Sequence, residues 1–292
     1  MKIVERENID TEKWNALVDQ TKDAAFFSYA WYLDATAENW CVLVNDNYSA
    51  GIALPYSKRL GVETLYTPIF VRYIEWLGDK RELKTCETFI RKRFKNIHIS
   101  MRQKVLGVGY SAFVFQVLNP NKERRIGSQA KRMLKKAVKN DIQVTKSNNY
   151  LRIFEVINIE LKNKITGIDK DSLKTLDRLF EAASKEKVLR SYEIENCGGI
   201  VCLAHEGQML YLKGTVLSRT KEVGGMYKAL NNAINEAHEN KMIFDFGGSR
   251  VDGVKRFNHN LGGEDVEYYS YKVDKTPFWF KFARRIRSTW KK

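Results

Sequence analysis

The amino-acid sequence predicts an α/β fold of the α+β kind, made of two similar domains, each a mixed, twisted sheet flanked by helices. A chain of 292 residues is longer than one domain of the usual size, about 100–150 residues. The order of helices and strands that hydrophobic periodicity indicates in the first half recurs in the second. Hydrophobic residues make up 43% of the chain and prolines only 4 positions, which excludes a disordered or collagen-like protein.

The first half begins with a short strand and two helices. Asp10 or Thr11 is placed to cap the first helix, and the second helix follows Ser28. We assign residues 1–122 to an N-terminal domain, and expect it to be structural or to help bind substrate because it lacks a glycine-rich turn. Apolar runs between turns predict its other elements: strands at 40–44, 50–56, 62–66, 96–100 and 113–118, and a helix over 81–94.

A basic amphipathic helix that starts at Ser128 is predicted to link the two halves, within residues 123–140. Seven Lys and Arg side chains fall in the 16 residues from 124 to 139. Two explanations of this pattern stay open, a solvated helix face or a surface that contacts phosphate groups.

The second half, residues 141–275, predicts a mixed sheet covered by helices, the first of them capped by Asp171 or Ser172. Its other predicted elements are strands at 188–194, 200–204 and 209–213, a helix over 226–239 and a buried strand at 241–245.

Two glycine-rich turns flank this helix and strand. Gly224 and Gly225 open the helix, and the free amides at a helix N-terminus, together with the helix dipole, favour an anion. Asp245 ends the strand beside a second turn, 247–249, whose glycines can take positive φ and let the backbone approach a ligand.

This order of strand, glycine turn, helix and strand resembles the core of the acyl-CoA N-acyltransferases (GNAT proteins). Its sequence motifs are similar to those of the FemAB-like branch of that family. Asp245-Phe246-Gly247-Gly248-Ser249 resembles the strand end of that branch, which reads Asp-Phe, then Gly or Glu, then Gly-Ser. Further matches are the segment 257–262, the aromatic strand 266–273 and the basic helix 128–140. The resemblance implies two tandem GNAT-like domains and, within the family, an acetyltransferase branch.

The resemblance also implies a set of site residues. Asp245 would accept the proton of an attacking amine, or else would only tie its strand end to the following turn. Lys255 and Arg256, in a basic loop, would bind donor phosphate or stabilise an oxyanion. The other implied residues are Lys221, Gly224 and Gly225 for the donor, and Gly247, Gly248, Ser249, Phe257, Tyr211 and Tyr268 for the substrate.

Two departures from the family pattern bear on the donor. The phosphate signature, Gln/Arg-x-x-Gly-x-Gly/Ala, here reads Lys221-Glu222-Val223-Gly224-Gly225-Met226, and the usual Phe-Lys pair is Phe257-Asn258. We therefore expect no tightly bound cofactor, and either acyl-CoA or aminoacyl-tRNA as co-substrate.

The net charge of +15, from 50 Lys and Arg against 35 Asp and Glu, indicates an anionic partner. RNA such as tRNA, coenzyme phosphates, a small or nucleotide-linked substrate and a membrane surface all fit. The four cysteines lack Cys-x-x-Cys spacing, and no histidine completes a metal set, so we expect reduced thiols and no metal.

The basic, aromatic tail 276–292 has two interpretations. Its aromatic side chains would dock on their own domain, or they would rest at an anionic membrane interface together with the tail's cations. No apolar run reaches the ~18 residues that span a bilayer, so we expect a cytoplasmic protein, with peripheral contact to the inner membrane face as an option.

Two classes of function remain. The first is acyl or aminoacyl transfer to an amine, with an amine of a cell-wall precursor among the acceptors that the resemblance implies. The second is a noncatalytic GNAT-fold module that binds RNA or anionic lipid headgroups.

Overall fold

The computed structural model describes residues 1–162, 169–248 and 250–289. The chain forms two compact units, the first made of residues 1–113 with the segment from 268 onwards, and the second of residues 114–267. The boundaries that the sequence suggests after residues 122, 140 and 275 stay a prediction.

Residues 1–118 contain seven strands and three α-helices. In chain order these are β1 (Lys2–Glu5), α1 (Thr11–Gln20), α2 (Ala30–Thr36), β2 (Asn39–Val44), β3 (Ala50–Arg59), β4 (Val62–Tyr66), β5 (Trp76–Gly78), α3 (Leu83–Arg93), β6 (Asn96–Met101) and β7 (Tyr110–Leu118).

Described residues beyond 118 contain the other elements. They are α4 (Ser128–Lys139), β8 (Thr145–Ser147), α5 (Leu151–Lys162), α6 (Lys170–Lys185), β9 (Leu189–Ile194), β10 (Gly198–His205), β11 (Gln208–Val216), α7 (Ser218–Glu222), α8 (Gly225–Glu239), β12 (Ile243–Asp245), α9 (Asp252–Asn260), β13 (Glu264–Asp274) and α10 (Phe278–Thr289).

The sheet of the first unit starts with an antiparallel meander, β1-β2-β3-β4. Helix α3 then crosses over, and β6 lies parallel to β4. Residues 269–274 of β13 close the sheet by pairing antiparallel with β6, in the register Tyr269 to Met101 and Asp274 to Asn96. The short strand β5 pairs with β3.

The sheet of the second unit repeats this order. Strands β8-β9-β10-β11 form an antiparallel meander, and β12 lies parallel to β11 after α7 and α8. The end of β7 closes the sheet by pairing antiparallel with β12, with Phe244 opposite Leu118 and Asp245 opposite Val117. The fold class predicted from the sequence, two similar mixed sheets flanked by helices, is confirmed.

Helix α8 covers the centre of the second sheet. Leu230, Ala233, Ile234 and Ala237, spaced three or four positions apart, are buried on one side of the helix. They belong to the same buried cluster as strand residues such as Phe244. This packing holds the start of α8 and the end of β12 in fixed positions.

The differences from the sequence prediction include three helices. Helix α6 is capped by Asp169, whose carboxylate accepts from the Ser172 amide at 2.8 Å, and not by Asp171 or Ser172. Residues 252–260, predicted as a loop, form helix α9. Helix α5 was not predicted, because its β-branched residues resemble a strand; its buried Ile153 and Ile157 lie four residues apart, and α5 packs on β10 and β11.

No described helix is both long and apolar enough to cross a membrane.

Candidate functional site

Asp245 is the last residue of β12, between β11 and β7, and only 8% of its surface is exposed. Its Oδ1 accepts a hydrogen bond from the amide of Gly247 at 2.9 Å. The carboxylate therefore ties the strand end to the turn, one of the two roles that the sequence suggests. Proton acceptance by Asp245 stays a prediction.

The turn after Asp245 requires glycine. Gly247 and Gly248 have φ of +77° and +71°, a backbone conformation that residues with a Cβ rarely adopt. A Cβ at position 247 would also lie 2.4 Å from the carbonyl oxygen of Tyr211. Gly247 thus lies against the backbone of β11. Ser249, predicted to bind substrate, lies outside the described residues.

The glycine pair at the start of α8 is surrounded by protein. Gly224 has φ of +94°, and a Cβ there would lie 2.3 Å from the carbonyl oxygen of Met133 in α4. A Cβ on Gly225 would lie 2.6 Å from Cγ2 of Thr220. Both glycines are therefore needed for the packing of α4 and α7 against α8. Phosphate binding by Gly224, Gly225 and the exposed Lys221 stays a prediction.

An open groove of about 530 Å³ lies beside the first turn of α8. Arg256 and Phe257 are the members of the predicted site that line it. The Phe257 ring lies 4.6 Å from the ring of Tyr227, at an angle of 58°. The groove is lined by Gln129 from α4, Tyr227 from α8, and Gly253, Arg256, Phe257, His259 and Asn260 from α9.

The groove is electropositive. Arg256 is exposed, and within the described part of the chain its guanidinium has no ion-pair partner. Burial raises the pKa of the Tyr227 hydroxyl, and the positive charge of Arg132, on α4, opposes this shift. Cations from α4 and α9 therefore act on the same region as the positive end of the α8 dipole.

Lys255, the neighbour of Arg256, is committed to an internal ion pair. Its Nζ lies 3.0 Å from Oδ2 of Asp265, while Nε2 of His259 lies 3.1 Å from Oδ1 of the same carboxylate. Gln116 donates to Oδ1 at 2.8 Å. Burial raises the pKa of the Asp265 carboxyl, but the hydrogen bonds from Gln116 and Lys255 and the charges of His259 and Lys255 outweigh it and hold this pKa below its usual range.

The same network fixes α9 against β7. Asn258 is buried and donates to Oε1 of Gln116 at 2.9 Å. Nδ1 of His259 lies 2.8 Å from the carbonyl oxygen of Gly263, and because a carbonyl only accepts, Nδ1 carries a proton. Both ring nitrogens of His259 thus face acceptors within the protein itself. His259 therefore lines the groove without offering it a nitrogen that could act as a base.

Sequence reasoning missed Asp265 and Gln116. Both lie in strands, where alternate side chains face opposite sides of the sheet, and neither belongs to a segment that the family resemblance singles out. The one sequence signal was Gln116, a polar residue within the otherwise apolar run 113–118, whereas Asp265 is one of several acidic residues near the start of its strand.

Two more of the predicted substrate residues have core positions. Tyr211 packs against the buried cluster of the second unit. Tyr268 belongs to the first unit, is 6% exposed and lies among aromatic rings, 6.1 Å from Tyr73 and 5.8 Å from Phe113. Tyr268 is not one of the residues that line the groove.

The described residues contain no cluster of three or more His, Cys, Asp or Glu side chains suited to a metal ion. All four cysteines are free, with Cys41, Cys86 and Cys202 buried and Cys197 half-buried.

A meander, a crossover helix, a parallel strand and a closing strand, repeated in two units, define a fold of the GNAT type. Among solved structures the chain is similar to FemX, with a TM-score of 0.65, 10% identity, and coverage of 94% of this chain and 98% of that one. It is also similar to L-PGS from Bacillus licheniformis, with a TM-score of 0.57, 12% identity, and coverage of 92% and 93%.

A third similar structure is an acetyltransferase of the GNAT family from Colwellia psychrerythraea, with a TM-score of 0.51, 10% identity, and coverage of 94% and 100%. No family model matches the chain, and no curated protein matches it. The chain therefore has the FemAB-like, GNAT-type fold that its motifs predict, while the acetyltransferase branch stays a prediction.

Proposed function

We propose that the chain is an acyltransferase that moves an acyl or aminoacyl group from a phosphate-bearing donor to an amine. The observation that carries the proposal is the groove at the start of α8, where the exposed Arg256 and the Tyr227–Phe257 ring pair lie together. The fold supports the same reaction class, because the similar structures include FemX and a GNAT acetyltransferase.

The groove suits the phosphates of a donor for two physical reasons. The first-turn amides of α8 carry the positive end of the helix dipole, and no side chain caps them within the described residues. Arg256 adds a guanidinium that can hold a phosphate through two parallel hydrogen bonds. A hydrogen bond to a charged group contributes about 1.5–3 kcal/mol, which corresponds to about 10- to 100-fold in affinity.

The chemistry needs few specialised groups. The amine attacks the carbonyl of the donor, the tetrahedral intermediate collapses, and the thiol or ribose hydroxyl leaves with a proton. Positioning of the two reactants contributes much of the rate of such a direct attack. Asp245 is the candidate acceptor for the amine proton, whereas Lys255 serves the reaction indirectly, by holding Asp265 and thereby α9.

The test measures donor binding by thermal shift, because a ligand that binds only the folded state raises its apparent stability. Acyl-CoA and aminoacyl-tRNA are the two donors tried. We expect Arg256→Ala to weaken binding of the true donor about 10- to 100-fold. Lys174→Ala, which removes an exposed cation of α6 outside the groove, should leave binding unchanged. Equal binding by both variants would contradict the groove as donor site.

The two donors are distinguished by the basic side of α4. Lys135 and Lys139 are exposed, and they have no ion-pair partner among the described residues. RNA neutralises more cations than coenzyme A does, and its affinity falls more steeply with salt. Lys135→Ala with Lys139→Ala should therefore weaken aminoacyl-tRNA and leave acyl-CoA unaffected.

A noncatalytic module that binds RNA is the second candidate. It is favoured by the packing at Gly224 and Gly225, whose missing side chains are explained by Met133 and Thr220 without any donor. A single-turnover assay with the donor that binds and a panel of amines separates the candidates, because the module would bind the donor and transfer nothing.

A further inference from the structure

Helix α10 is attached to the first unit at its beginning. Asp274 accepts from the hydroxyl of Thr276 at 2.5 Å and from its amide at 3.1 Å. The same carboxylate pairs with Lys281 at 3.7 Å and with Arg284 at 3.1 Å. Phe280 is only 6% exposed. One side of α10 is therefore docked on its own unit, as one interpretation of the tail suggests.

The other side of α10 presents aromatic rings to solvent. Phe278 is 83% exposed, Trp279 53% and Phe282 58%. Successive helical residues are turned by about 100°, so Phe278 and Phe282 share a side with Trp279 next to them, while the buried Phe280 points the opposite way. The three exposed rings thus form one aromatic face directed away from the protein.

Cations border this aromatic face. Lys281 and Arg285 are exposed, and at about 100° per residue both lie beside Phe278, on the side away from Trp279. Aromatic side chains with cations at their edge suit the boundary between lipid headgroups and acyl chains, where the rings bury and the cations meet anionic headgroups. Residues 290–292, the end of the tail, lie outside the described part.

We propose that α10 is a membrane-docking helix that binds the surface of an anionic lipid bilayer through Phe278, Trp279 and Phe282, with Lys281 and Arg285 at the headgroups. Reversible membrane binding becomes stable when two signals act together, and here an apolar face is combined with positive charge. The proposal is independent of the reaction proposed above.

The area and charge of this face argue against a second copy of the chain as its occupant. The exposed parts of the three rings amount to about 400 Å², half of the roughly 800 Å² per partner that a stable interface buries. Two copies with a net charge of +15 each also repel one another. A negatively charged bilayer satisfies both the rings and the cations.

The test is sedimentation of the full chain with vesicles of phosphatidylcholine, alone or with phosphatidylglycerol at about one lipid in three. We expect at least about tenfold stronger binding to the anionic vesicles, and weaker binding at high salt. The triple variant Phe278→Ser, Trp279→Ser, Phe282→Ser should lose at least about tenfold in binding. Leu151→Ser removes a residue of α5 that is 56% exposed and should bind as the unchanged protein does.

Three results would overturn the proposal: equal binding to both kinds of vesicle, full binding by the triple variant, or loss of a dimer in the triple variant without vesicle binding by the original chain. The thermal midpoint of each variant checks its folding. If the triple variant fails to fold, Phe278→Ser, the change at the most exposed ring, and the salt dependence of the unchanged chain decide the question.

Discussion

Replacing Gly224 by alanine should destabilise the second unit through two separate effects. A residue with a Cβ at φ of +94° costs about 1–2 kcal/mol in backbone strain. The new Cβ would also lie 2.3 Å from the Met133 carbonyl oxygen, so α4 must move away from α8, and such overpacking costs about 1–3 kcal/mol. Together we expect a loss of about 2–5 kcal/mol in the free energy of unfolding.

Two glycines of the same unit serve as matched controls. Gly207 has φ of +76° with nothing within 4 Å of a Cβ, so Gly207→Ala should show the strain alone, about 1–2 kcal/mol. Gly253 in α9 has ordinary φ and open space, so Gly253→Ala should stabilise by up to about 1 kcal/mol.

Urea unfolding followed by circular dichroism measures all three variants. If Gly224→Ala costs no more than Gly207→Ala, the contact with Met133 contributes nothing and the packing explanation of this glycine fails.

Two further predictions concern carboxylates. Asp245→Asn keeps an oxygen that accepts from the Gly247 amide, so the fold should be retained. Because the variant cannot accept a proton, turnover should fall about 10²-fold or more while donor affinity stays unchanged. Full turnover at every pH would show that Asp245 only holds the turn. For Asp274, burial raises the pKa, but Thr276, Lys281 and Arg284 outweigh it and lower the pKa to about 2. Because the folded-state pKa is the lower one, this stabilisation is present above about pH 4 and is lost as the pH falls toward about 2. Asp274→Asn should therefore cost about 2 kcal/mol in unfolding free energy at neutral pH and almost nothing near pH 2, and a loss that is the same at both pH values would contradict the linkage.

The parts of the fold that the sequence predicted well are those with a strong period. Helix α8 and strand β12 were placed within one or two residues, because the apolar face of the helix and the short buried run after it leave little ambiguity. The turn after Asp245 was also placed correctly, since Gly247 and Gly248 both take a positive φ, which glycine adopts without strain.

Helix α9 could not be recognised from its local sequence. It has nine residues, and Gly253, Asn258 and Asn260 are poor helix formers. Tertiary contacts stabilise it instead: Phe257 packs on Tyr227, and the buried Asn258 amide is held by Gln116, 142 positions earlier. A partner at that distance in sequence leaves no local pattern, which is why the segment resembled a loop.

A glycine pair at a helix start leads sequence reasoning toward a bound phosphate, and the position of Gly224 explains why this inference is incomplete. A close approach by a ligand and a close approach by another helix make the same demand, the absence of a Cβ, so residue type alone does not separate them. The two cases are separated only by which group fills the space next to the glycine. At Gly224 that group is the Met133 carbonyl.

The same reasoning applies to the net charge of +15, which predicts an anionic partner only after internally used cations are set aside. Arg124 donates to the Leu261 carbonyl at 2.9 Å and to Asn231 at 2.9 Å, and burial lowers its pKa to about 10. Lys255 is held by Asp265. Neither cation is available to a ligand, although both belong to segments that the sequence analysis identifies as basic. The exposed Arg256 of the groove and Lys135 and Lys139 of α4 belong to the second unit, whereas the exposed cations of α10 belong to the first, so the two sets can serve different anions. A donor in the groove and a bilayer at α10 would then each show its own salt dependence, and a variant of one surface should leave binding at the other unchanged.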